Sequence, residues 1–121
     1  MRTGRQRRTI INYRAGPPHS KTLELNMAFA RKLVLNCRNG YDARLNAMVE
    51  EFIKDGVVFV GVVGKDCAKV EGIVDELVVG DGSRKYDLLT ASHTGESLQQ
   101  AINFAKSLTG EFVGDVQVVE L

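Results

Sequence analysis

The feature that most constrains this chain is the apolar segment VVFVGVVG at residues 57–64, which the charged pair Lys65-Asp66 follows at once. A short, uninterrupted, β-branched run bounded by glycine and charges is typical of a strand buried on both faces. Such a strand lies inside a parallel sheet that helices cover on both sides. The remaining elements are placed around it.

Strand and helix patterns alternate on either side of this segment. Residues 31–37, 86–91 and 115–121 are β-prone and apolar, and helical spacing of apolar residues marks 41–54, 66–79 and 95–108. The order from residue 31 onward is therefore β-α-β-α-β-α-β. Because helical crossovers join parallel strands, we expect an α/β fold: a three-layer sandwich with a small, mostly parallel sheet of flavodoxin- or Rossmann-like type. The last strand could instead pair antiparallel at an edge.

Local signals predict how the helices begin and end. Asp42 and Asp66 are placed to cap the first two helices, and Gly56 occupies the left-handed stop position of the first. Residues 22–30 suit either an edge strand or a short helix.

The N-terminal residues 1–21 differ from the rest in charge. They carry six basic and no acidic side chains, which leaves residues 22–121 with ten basic against fifteen acidic ones, a net charge of −5. Ala15-Gly16-Pro17-Pro18 would break any regular element. We predict a flexible basic arm at 1–21 and a single α/β domain at 22–121. The arm is either a frayed terminus or a means of associating with nucleic acid.

Composition bounds the class of protein. The chain has 121 residues, 44% of them hydrophobic and 26% charged, as expected for one globular domain. No apolar run is long enough to cross a membrane, and no secretory signal is evident. Cys37 and Cys67 suggest neither a disulfide framework nor a zinc site, so a cytoplasmic location is expected.

Two turns in the second half carry a family resemblance. The first is the end of a strand at Gly64, which Asp66-Cys67 follows. The second is a Thr-x-x-His turn at Thr90–His93. Asp75 and Glu96 accompany them. Over residues 56–108 the chain resembles a family of short bacterial proteins of unknown function. It lacks the tryptophan that relatives often carry in these turns. The resemblance implies an α/β fold and a site at the two turns, without a reaction.

The same turns are where general rules place a binding site. Ligands of open parallel sheets bind beyond the carboxyl ends of the strands. The predicted ligand-binding residues there are Gly64, Lys65, Asp66, Thr90, Ser92, Thr94 and Glu96.

Cys67 and His93 are the candidate catalytic pair. A thiol at a helix N-terminus with a nearby imidazole could serve as a nucleophile or redox group. Alternatively, Cys67 is a small buried residue and His93 bonds a backbone carbonyl or Asp66. No metal-ligand spacing is present. Gly61-Val-Val-Gly64-Lys65 fails as a phosphate loop, because Phe59 and Asp66 occupy its required positions. We expect no cofactor.

The absence of a complete catalytic constellation favours one function over two others. We expect a non-catalytic module that binds a protein partner or a small ligand at the carboxyl end of the sheet. The alternatives are a thiol-dependent enzyme or redox protein that uses Cys67 with His93, and nucleic-acid association through the arm. Whether the protein is an enzyme, and its oligomeric state, stay open.

Overall fold

The computed structural model describes residues 10–13 and 28–121. Its strands are β1 (Ile10–Tyr13), β2 (Lys32–Cys37), β3 (Phe59–Gly64), β4 (Leu89–Ser92) and β5 (Val116–Glu120). Its helices are α1 (Arg44–Asp55), α2 (Cys67–Val79) and α3 (Leu98–Ser107), and a 3-10 turn at Gly110–Phe112 precedes β5. Each strand and helix predicted from residue 31 onward is present, with ends shifted by up to three residues.

The five strands form one sheet in the order β1-β5-β2-β3-β4. β2 pairs in parallel with β3 and β5, and β3 pairs in parallel with β4. Of the two arrangements considered for the last strand, β5 therefore takes the parallel one, inside the sheet. β3 lies between two strands, and its side chains from Phe59 to Val63 are buried on both faces, as the apolar run indicated.

Two helices cover one face of the sheet and the third covers the other. The first face buries Leu45, Val49 and Phe52 of α1 and Val70, Val74 and Val78 of α2. The second buries Ala101, Ile102 and Ala105 of α3. From β2 to β3 to β4 the chain moves across the sheet in one direction. After β4, α3 carries the chain back past β2 to β5. Because the crossovers are right-handed, this reversal places α3 on the opposite face of the sheet. The predicted α/β sandwich is confirmed.

Part of the segment assigned to a flexible arm belongs to the sheet. Ile10–Tyr13 form β1, which pairs antiparallel with β5 in the register Ile10↔Val119 to Tyr13↔Val116. The β-prone run therefore completes the sheet on that side, and the boundary drawn at residue 21 divides the fold. The other residues of the predicted arm lie outside the described residues.

The helix ends follow the expected signals in one place and depart from them in three. Gly56 ends α1 with φ +82°, as expected. The N-cap of α1 is Ala43, without a side-chain cap, whereas the Asp42 carboxylate one residue earlier accepts the Arg44 N–H at 2.8 Å. The Arg44 guanidinium that bonds Asp42 lowers the pKa of this carboxyl. Asp66, in contrast, makes no capping hydrogen bond. α3 begins at Leu98 and not at residue 95, because Ser97 and Gln100 form a capping box.

The strand predicted at 86–91 is shorter and begins later. The Tyr86 hydroxyl donates to the carbonyl oxygen of Val57 at 2.5 Å, and the ladder to β3 starts only at Leu89. Of the ambiguous segment 22–30, residues 28–30 are neither strand nor helix, and residues 22–27 lie outside the described residues. Phe29 is buried, and its N–H donates to Asp55.

Candidate functional site

The turn at residues 64–67 crosses very close to the end of β2. Gly64 has φ +107°, and a Cβ atom there would overlap the carbonyl oxygen of Cys37. The Lys65 N–H donates to that same oxygen at 2.8 Å. Only glycine permits this approach, so the sequence signal at Gly64 reflects backbone geometry.

The next residue, Asp66, directs its carboxylate away from the helix that it precedes. Its φ is +56°, in the left-handed region, and no side-chain hydrogen bond caps α2. A Cβ at Gly40 would lie 3.0 Å from Asp66 Oδ2, so the carboxylate lies beside the turn after β2. Lys65 and Asp66 are both exposed. The predicted cap at Asp66 was wrong, and both side chains face solvent instead.

Cys67 opens α2 and is turned into the core. It is 3% exposed and packs in the cluster between the sheet and α1 and α2, which also contains Cys37. Its Sγ lies 3.5 Å from the hydroxyl oxygen of Thr94. Burial, and secondarily the neighbouring Cys67, raise the pKa of the Cys37 thiol to about 11. Cys37 is therefore a neutral core residue.

His93 follows β4 and is buried against α3. It is 6% exposed, and its Nδ1 lies 2.9 Å from Glu96 Oε1. Its Nε2 is buried without a hydrogen-bond partner, 3.3 Å from where a Cβ at Gly61 would lie. The ring packs edge-on against Phe104, with centroids 5.3 Å apart. The absence of a side chain at Gly61 makes room for the imidazole.

The thiol and the imidazole therefore have different surroundings. Cys67 packs among residues of α1 and α2 and contacts Thr94 of the turn after β4. His93 contacts Glu96 of the same turn and Phe104 of α3. Within the described residues, the Nε2 atom of His93 has no hydrogen bond to the thiol or to any other group. The two turns meet through the Cys67–Thr94 contact.

The remaining predicted site residues divide between the end of the sheet and its edge. Thr94 and Glu96 are exposed in the turn after β4. Thr90 lies in the middle of β4, with its hydroxyl 2.7 Å from Glu71 Oε2 and 2.9 Å from Asp75 Oδ1. Ser92 is half-buried at the end of β4. We call the turns at residues 64–67 and 93–97, in which Cys67 and His93 are buried and the other residues are exposed, the carboxyl rim. Thr90 is not part of it.

A cleft that the sequence analysis missed lies at the opposite, amino end of the strands. Its volume is about 470 Å³, and its lining combines charged and apolar side chains: Arg31, Val58, Asp87, Leu88, Leu89, Glu111 and Phe112. The Arg31 guanidinium donates to the carbonyl oxygens of Val113 and Glu111 at 3.0 and 2.7 Å. No motif marks this cleft, because its residues come from four separate segments at or just before the starts of the parallel strands.

A buried lysine lies at the same amino end of the sheet. Lys32 is 1% exposed, and its Nζ donates to the carbonyl oxygen of Ala105 at 2.7 Å. Burial lowers its pKa, and the charge of Asp115 opposes that shift. Lys32 thus ties the start of β2 to the last turn of α3.

The described residues hold neither a metal-binding cluster nor a helix that could span a membrane. In residues 10–13 and 28–121, no three His, Cys, Asp or Glu side chains are grouped so that they could hold a metal ion. In the same part of the chain, no helix has both the length and the apolar character needed to span a membrane.

The fold and the rim define a three-layer α/β domain with a mainly parallel sheet. The chain belongs to the DUF7684 family, a domain of unknown function whose family model matches residues 9–119. This agrees with the resemblance to an uncharacterised family, while its bacterial origin and the turn motifs stay predictions. The match begins just before β1, so the family domain includes that strand. No curated protein and no solved structure is significantly similar to the chain.

Proposed function

We propose that this domain is a non-catalytic binding module that holds a protein partner or a small ligand at the carboxyl rim. The supporting observation is a contrast in exposure. Lys65, Asp66 and Glu96 are exposed at the rim. The two side chains with reactive chemistry, Cys67 and His93, are 3% and 6% exposed. The rim thus offers contacts to a ligand while it withholds a nucleophile and a base.

The backbone at the rim also suits recognition. α2 begins without a side-chain cap and without an acidic residue in its first turn. The first N–H groups of a helix have no intrahelical acceptor, so they are available to polar groups of a ligand. Lys65 and Asp66 add one charge of each sign. A polar ligand or a mixed-charge protein surface would complement this arrangement.

Thiol catalysis has less support from the geometry. A nucleophilic thiol needs a base within hydrogen-bond reach and access to the substrate. The Cys67 thiol contacts the Thr94 hydroxyl, and the imidazole of His93 is oriented by Glu96 with its free Nε2 enclosed.

Site-specific photo-crosslinking in the source cells tests the binding proposal. A photoreactive phenylalanine analogue at Lys65 should yield a discrete adduct. The same analogue at Glu76, an exposed position of α2 outside the rim, should not. Equal adducts at both positions, or none at Lys65, would contradict binding at the rim.

Alkylation of the folded protein tests the alternative. We expect Cys67 and Cys37 to react with iodoacetamide only when the protein unfolds. Mass spectrometry measures the extent of alkylation at each cysteine. The thiol mechanism would be established instead by rapid alkylation of Cys67 in the folded protein. The pH midpoint of that reaction would have to lie below the roughly 8.5 of a free thiol, and His93→Ala would have to raise it.

A further inference from the structure

β4 is an edge strand, and within the described residues its outer backbone groups have no strand beside them. The Leu89 N–H donates to the carbonyl oxygen of Val58, and the His93 N–H donates to the carbonyl oxygen of Val62. In a parallel ladder alternate residues bond to the same neighbour, so Thr90 and Ser92 direct their N–H and C=O groups away from β3. No other described strand pairs with this edge. The strand sequence LTAS has neither lysine nor proline, which commonly block such edges.

One face of this edge is negatively charged. The carboxylates of Glu71 and Asp75 both lie within 2.9 Å of the Thr90 hydroxyl. Among the described residues, neither carboxylate forms an ion pair with a basic side chain. A strand added beside β4 would therefore meet two uncompensated negative charges on the α2 side.

The other face of the same edge is apolar and partly open. Leu89 is the register partner of Phe59, so their side chains lie on the same face of the sheet. Phe104 of α3 packs on Phe59 with ring centroids 5.9 Å apart. Leu89 and Phe104 are 41% and 42% exposed, although Phe59 between them is buried. This surface can accept apolar side chains.

We propose that the outer edge of β4 binds an extended segment of a partner protein in which basic and apolar residues alternate. The segment would add a strand to the sheet through the open backbone groups of Thr90 and Ser92. Successive side chains of a strand point to opposite faces. Its basic residues would thus meet Glu71 and Asp75, and its apolar residues would meet Leu89 and Phe104. This surface is distinct from the carboxyl rim and does not depend on the function proposed for it.

Charge complementarity selects this occupant over a neutral strand. Coulomb attraction between a basic side chain and two unpaired carboxylates is weakened by salt, since the site is near the surface. The alternation also sets the register, because a shift by one residue would place lysine against Leu89 and an apolar residue against the carboxylates.

A designed peptide provides the first test. The probe is a fluorescein-labelled, capped Lys-Val-Lys-Val-Lys-Val peptide, and its control is the matching Glu-Val-Glu-Val-Glu-Val peptide. With the full chain, fluorescence anisotropy should show binding of the basic probe alone, weakening as salt rises. Amide chemical shifts should change at Thr90 and Ser92. Equal binding of both peptides, or shifts confined to other residues, would overturn the proposal.

Variants of the edge provide the second test. The Ser92 N–H points outward, so Ser92→Pro blocks the edge without removing a bond to β3. It should weaken binding about tenfold or more, whereas Ser92→Ala should not, provided that both melt cooperatively. Unchanged affinity in a folded Ser92→Pro protein would overturn the proposal.

A charge variant keeps the test valid if Ser92→Pro does not fold. Glu71→Gln keeps an acceptor for Thr90 and removes one charge, so it should weaken the basic probe about threefold. Glu76→Gln, exposed on the same helix, should have no effect. Equal effects of these two variants would contradict the proposal. Light scattering tests whether the edge instead joins two copies of the chain. A dimer that Ser92→Pro abolishes and that the peptide does not displace would also contradict the proposal.

Discussion

Gly64 passes so close to Cys37 that a Cβ atom on the glycine would overlap the Cys37 carbonyl oxygen and lie 3.0 Å from its carbonyl carbon. Both contacts are with backbone, which cannot move aside as a flexible side chain can. The end of β3 and the turn that starts the carboxyl rim are therefore held against the end of β2. Glycine at this position is a requirement of the fold.

Gly64→Ala should lower the free energy of unfolding by about 2–5 kcal/mol, because it adds a clash to a backbone with φ +107°. Urea denaturation measures the loss. Gly72→Ala is the control, since nothing lies within 4 Å of a Cβ there in α2. It should stabilise the protein by about 0.5–1 kcal/mol. Equal stability of the two variants would refute the close approach at Gly64.

The Cys37 thiol should make stability fall at alkaline pH. Its folded pKa is raised from 9.0 to about 11, chiefly by burial. Below pH 9 the thiol is neutral in both states, and its contribution is complete. Between pH 9 and 11 the unfolded chain loses the proton first, so wild type should lose about 2–3 kcal/mol relative to Cys37→Ala. Urea midpoints of both proteins at about pH 8 and about pH 11 measure this difference, and parallel pH profiles would contradict it.

The two helix starts should respond differently to substitution. Ser97→Ala removes the cap of α3 and should cost about 1 kcal/mol. Asp66→Gly should leave stability unchanged or raise it, because Asp66 makes no capping bond and glycine adopts its positive φ without strain. Thermal melts of both variants provide the check. A large loss on Asp66→Gly would show that the carboxylate caps α2 after all.

Deletion of residues 1–14 should lower the melting temperature by about 5 °C or more. It removes β1 and leaves one edge of β5 without its antiparallel partner. Deletion of residues 1–8 alone keeps β1 and serves as the control, which should melt within about 2 °C of wild type. Identical melting temperatures of the two truncated proteins would show that residues 10–13 contribute nothing to stability.

The elements predicted best are those whose patterns are local and long. The apolar run of β3 and the periodic faces of α1 and α2 determine the parallel α/β core, and all of these were predicted. β1 was assigned to the arm because it has only four residues among basic ones. Its partner β5 lies at the other end of the chain, and no local pattern reports such a pairing.

The candidate site was only partly predictable for related reasons. The turn at Gly64 could be located because a glycine and charges end a buried strand. Thr90 was assigned to the carboxyl end because the strand was expected to span residues 86–91. The ladder to β3 instead runs from Leu89 to Ser92, so Thr90 lies within β4 with its hydroxyl beside Glu71 of α2. The burial of His93 depends on Phe104 and Gly61, which are distant in sequence.

The contact between the Cys67 thiol and the Thr94 hydroxyl joins turns that belong to two different strands. A fluctuation that lifts one turn must break this contact and so disturb the other. The amide hydrogens of both turns should therefore exchange with solvent as one cooperative unit. A partner that contacts only Lys65 would therefore slow amide exchange around Thr94 as well, and protection would rise in both turns together.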